Sequence, residues 1–117
     1  MEDRLKVGDI VYCRGNYKVT QNRLGFIEEV IDQPRPHERL GRKGLYSIYG
    51  LEKPNPTDFK SDADWYFGDH AGKDLEFTGK RMTVTAIQEY KRQHEDNSLL
   101  QRDMDNVIQE IEGLVVN

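Results

Sequence analysis

Asp62, Asp64, Asp69, His70 and Asp74 crowd one short stretch of this sequence, and closely spaced oxygen and imidazole donors are the raw material of a metal site. The spacing does not fit a calcium loop. Counted from Asp62, Gly68 falls one position late, and the twelfth place holds Lys73 instead of an acid. A solvated acidic turn is the better reading. His37, His70 and His94 stand apart on polar segments, with no cysteine or second histidine at ligand spacing, so zinc is not expected. No glycine-rich phosphate cradle occurs, and no serine or cysteine sits in a nucleophile elbow. The expectation is a protein without metal, cofactor or catalytic residues, and not an enzyme.

Two other groups have types suited to binding. Arg35, Arg39, Arg42 and Lys43 lie in a stretch that also holds Pro34, Pro36, Gly41 and Gly44, which reads as a long basic loop able to grip phosphates or a partner's carboxylates. Tyr46, Tyr49, Trp65 and Tyr66, with Phe67, are aromatic planes that could line a peptide groove, although strand alternation sends some of them into the core. The single cysteine, Cys13, reads as a small buried hydrophobe.

These groups need a scaffold, and the apolar pattern supplies one. Short runs at residues 7–12, 24–31, 45–51, 65–67 and 75–77 are rich in β-branched and aromatic residues and are separated by turn-forming residues, the pattern of antiparallel strands. Ile10 and Tyr12 are expected on one face of the first strand, Val11 and Cys13 on the other. In the second strand Phe26 and Val30 are expected opposite Ile27 and Ile31, with Glu28 and Glu29 reaching solvent. A turn is expected at residues 68–73, and Met82-Thr83-Val84 is a candidate sixth strand.

After Val84 the period changes from two to three and four. Thr85 to Gln88 and Ser98 to Gln101 fit capping boxes, which leaves one helix of nearly thirty residues or two joined near Asn97. Leu100, Met104, Val107, Ile111 and Leu114 form a stripe, widened by Ile108 and Val115, that must be buried either between copies of the chain or back against the strands. Association into a homo-oligomer is the expectation carried forward.

The 117 residues suit a small β domain, residues 1–84, with a helical segment, residues 85–117. Net charge is −4, which disfavours a dedicated nucleic-acid binder. The charge is uneven: seven basic residues face four acidic ones between positions 14 and 43, and three face seven between 52 and 76. No apolar run approaches the roughly 20 residues that cross a bilayer, and no secretory pattern opens the sequence, so a cytoplasmic protein away from the membrane is expected.

The order Lys6-Val7-Gly8-Asp9-Ile10-Val11, then Arg23-Leu24-Gly25-Phe26-Ile27-Glu28-Glu29-Val30, a tyrosine-rich strand, and Trp65-Tyr66-Phe67 ahead of Asp74-Leu75-Glu76 resembles small SH3-like barrels of the KOW type, as in phage and bacterial accessory proteins. The resemblance spans residues 5–80. It implies a mainly β protein, a small SH3-like antiparallel barrel, to which the C-terminal helical extension read from periodicity is added outside the match. With no catalytic motif in the sequence, the expectation is a non-enzymatic module that binds a host or partner protein, with nucleic acid as the alternative partner.

Overall fold

The Val7-Gly8-Asp9 sequence builds the turn through which the chain enters its sheet. In the computed structural model, which describes residues 5–14, 22–31, 45–52 and 65–116, Gly8 has φ +93°, a conformation glycine adopts without penalty. Asp9 closes the turn: its carboxylate accepts from Lys6 N at 2.8 Å and from Arg81 Nε at 2.6 Å. A Cβ at Gly8 would lie 3.2 Å from the Ile111 side chain, so the glycine also lets the last helix come close. The opening motif is thus a structural device.

Five antiparallel strands follow, β1 (Asp9–Cys13), β2 (Leu24–Ile31), β3 (Leu45–Gly50), β4 (Tyr66–Ala71) and β5 (Leu75–Arg81), in the spatial order β4-β3-β2-β1-β5. The edge strands β4 and β5 are joined by a single 3-10 turn, Gly72–Asp74. A flat sheet would separate its two edges by roughly 19 Å, whereas the link from Ala71 to Leu75 reaches at most about 14 Å. The sheet therefore curls, but β4 and β5 do not pair and it stays open.

Each face has its own core. Val11, Cys13, Ile27, Tyr46, Ile48 and Leu75 pack inside the curl with Leu5. Phe26 and Tyr49 point outward and are covered by two helices, α1 (Val84–Gln93) and α2 (Ser98–Val116), through Ile87, Tyr90, Leu100, Met104 and Val107. The β1 alternation matches expectation: Val11 and Cys13 are fully buried, while Ile10 packs toward the helices and Tyr12 is exposed.

In β2 the alternation breaks. Ile27 pairs with Ile48 but Glu29 with Ser47, so Glu28 is an extra residue and everything after it changes face. Val30 consequently joins Ile27 inside the curl, where it was expected with Phe26. A second bulge at Phe67, with Gly68 at φ +90°, carries β4 on to Ala71 through the segment expected to be a turn. The Phe67 ring lies over Gly25 and Gly50, which face each other across β2 and β3.

Met82-Thr83-Val84 is not a sixth strand. Thr83 caps α1, its hydroxyl accepting from Ala86 N at 3.1 Å, two residues before the expected cap. The two-helix alternative holds. Asn97 caps α2 by accepting from Leu100 N at 3.0 Å, and Gln101 Nε2 donates to the carbonyls of Lys91 and His94 at the end of α1. No helix among the described residues is long and apolar enough to cross a membrane.

Candidate functional site: an acidic cleft under the second helix

The β2 bulge sets two carboxylates, Glu28 and Glu29, side by side on the face that carries the helices. Glu28 is only 9% exposed, and Ser47 Oγ donates to its Oε1 at 2.7 Å. Ser47 Oγ lies 3.0 Å from Tyr66 Oη, whose hydroxyl reaches Asp69 Oδ1 at 3.2 Å. A serine hydroxyl carries one proton. When Glu28 is ionised, Ser47 donates to it and Tyr66 is left to donate to Ser47 or Asp69; when Glu28 is protonated, each hydroxyl turns the other way along the row and Tyr66 donates to Asp69. From α2, Asp103 accepts from Tyr49 Oη at 2.6 Å, and Arg102 Nε stands 4.0 Å from its other oxygen.

Burial pushes the Glu28 carboxyl up to about 7; Asp103, Glu29 and Asp69 add to the shift, against the Ser47 hydrogen bond. Burial, with neighbouring carboxylates, also raises Tyr49 and Tyr66, which remain protonated donors.

Glu28 and Asp103 form part of the floor of a cleft of about 1100 Å³ between α2, β2 and the entry segment. Leu5, Val7 and Val30 supply apolar surface, and Asn106 and Gln109 supply amides. The charged lining is Glu28, Glu29, Asp103 and Glu110 against Lys6 and Arg102, so the cleft is acidic.

The residues singled out from sequence are not brought together. Tyr46 and Tyr49 are both fully buried and lie on opposite faces, so they do not line a surface groove. Neighbouring residues of a strand alternate, and positions three apart on an unbulged strand must diverge. Trp65 and Tyr66 are half-buried at the edge of the helix-side core, Trp65 edge-on to the Tyr90 ring at 6.4 Å and 4.6 Å from the His94 ring. Arg35, Arg39, Arg42 and Lys43, with Asp62 and Asp64, lie outside the described residues. Asp69 and His70 belong to β4 instead of a solvated turn, and His70 is buried.

The residues expected to form an oligomer seam pack within the chain where they are described. Leu100, Met104 and Val107 are fully buried against the chain's own sheet, Ile111 packs on the same core, and the Leu114 side chain lies outside the described residues.

Among the described residues no group of three His, Cys, Asp or Glu side chains could hold a metal ion. Cys13 is buried and its thiol is pushed up to about 12, so it stays protonated, in keeping with its reading as a small hydrophobe. Comparison with protein-family models, curated proteins and solved structures finds no match.

Sequence reasoning passed over Glu28, Ser47 and Asp103. The available signal was two consecutive glutamates inside an apolar strand, a pattern that simple alternation cannot satisfy on one buried face and that a bulge can.

Proposed function

We propose that this protein is a non-enzymatic, cytoplasmic interaction module: an SH3-like curled sheet whose second C-terminal helix forms one wall of a groove for another macromolecule. The observation that carries this reading is the open cleft between α2 and β2, whose combination of carboxylates, amides and apolar surface suits a segment of a protein. The strand order and the single 3-10 turn between the edge strands support the SH3-like description. Ser47 and Cys13, both side chains of nucleophile type, are sealed in the core, which favours binding over chemistry.

Affinity capture from native extract tests this with Asn106→Trp, which puts an indole into the cleft from an exposed position on α2. The reading predicts a defined protein retained by the wild type, insensitive to nuclease and lost on the plugged variant. Capture that is unchanged by the plug, or that disappears with nuclease, contradicts it and favours the nucleic-acid alternative.

A further inference from the structure

The cleft's charges indicate what its occupant carries. Glu29 on β2 and Glu110 on α2 are exposed, line opposite walls, and have no ion-pair partner among the described residues. An acidic segment or a phosphodiester would face these two carboxylates and Asp103 against Lys6 and Arg102, and like-charge juxtaposition opposes docking. A basic segment meets complementary charge. The amides of Asn106 and Gln109 both donate and accept, which suits the backbone of an extended peptide.

Resting on the interaction-module reading, we propose that the cleft takes an extended basic segment of a partner protein, with one lysine or arginine side chain over Glu28 and Asp103. Two neutral hydroxyls prepare this anchor: Ser47 donates to Glu28 once it is ionised, and Tyr49 already donates to Asp103. The charged and titratable groups around Glu28 are Glu29 on β2, Tyr49 on β3, Tyr66 and Asp69 on β4, Arg102 and Asp103 on α2, and Lys6 on the entry segment. All carboxylates in that set disfavour ionisation of Glu28, and an incoming cation reverses the balance. Docking is therefore proton-linked and strengthens as pH rises through neutrality.

A display library of random twelve-residue peptides selected on the full chain at pH 8 provides the probe. Selected peptides are expected to be enriched in lysine and arginine over the unselected library. They should lose at least tenfold in affinity on Glu29→Lys/Glu110→Lys, two exposed reversals whose folding is checked by circular dichroism. For a selected peptide without histidine, affinity should fall roughly 10- to 30-fold from pH 8 to pH 5.5, because only the ionised fraction of Glu28 is competent, and Glu28→Gln should abolish that dependence. Neutral or acidic selected peptides, or unchanged binding on the double reversal, overturn the basic-partner assignment while leaving an interaction module standing. A pH-independent affinity overturns the proton linkage. A selection that yields no binder counts against the interaction module itself.

Discussion

Glu28 favours the folded state most when it carries a proton. Its carboxyl titrates near 7 in the folded protein against an ordinary 4.5, so between those values the folded state holds a proton that the unfolded chain has lost. Stability conferred by the protonated group is complete below about pH 4.5 and declines as pH rises through about 7. His70 and His94 act with the opposite sign: burial lowers both, so the folded state resists charging them and stability is lost as pH falls below 6.5. Urea unfolding should thus show stability declining between pH 6.5 and 8, and Glu28→Gln should flatten that decline. Over the whole window from pH 4.5 the glutamate's share is on the order of 3 kcal/mol at most. Wild type and Glu28→Gln curves of identical slope contradict this. The pair Glu28-Glu29 was visible in the sequence, but its meaning depended on a bulge that strand alternation alone cannot reveal.

Strands and helices were legible where the local pattern and the packing agree. All five strands overlap the apolar runs, because a two-residue period leaves little freedom once both faces of a sheet are buried, although β4 and β5 run on well past theirs. Helix starts were read two residues and one residue late. Thr83 and Thr85 are equally good caps by type, and Met82-Thr83-Val84 reads locally as strand; the choice is made by Ile87 and Tyr90, which must meet Phe26 across the sheet. The joint between the helices depends on one side chain. Gln101→Ala removes both hydrogen bonds to the α1 carbonyls and should cost roughly 1–2 kcal/mol, measurable by thermal melting; an unchanged melt would remove the Gln101 bridge from the account. The β3–β4 contact is as tight. A Cβ at Gly50 would lie 2.3 Å from the Phe67 ring, so Gly50→Ala should destabilise by about 1–3 kcal/mol. Phe67→Leu in the same chain should recover part of the loss, and strict additivity in that double-mutant cycle would contradict the contact.

At the scale of the whole molecule, the helical segment is part of one core instead of an appendage. Leu100 is fully buried with Phe26 and Tyr49, so Leu100→Ala should cost about 2–5 kcal/mol, and Leu100→Glu should unfold the chain in circular dichroism instead of releasing a folded monomer. A folded Leu100→Glu protein of lower mass in light scattering would restore the intermolecular seam. The sequence stripe could not decide this, because an amphipathic helix looks the same whether its cover is another copy or its own sheet. Once α2 lies on the sheet, its polar flank and the bulged glutamates of β2 necessarily enclose the acidic cleft. Photo-crosslinking in native extract tests that cleft as the partner site most directly, with a benzophenone side chain at Asn106 inside it and a control at Lys73, exposed and outside the cleft lining. The account predicts a nuclease-resistant crosslink to one protein from position 106 and none from position 73. Equal crosslinking from both positions, or adducts with nucleic acid from position 106, would contradict it.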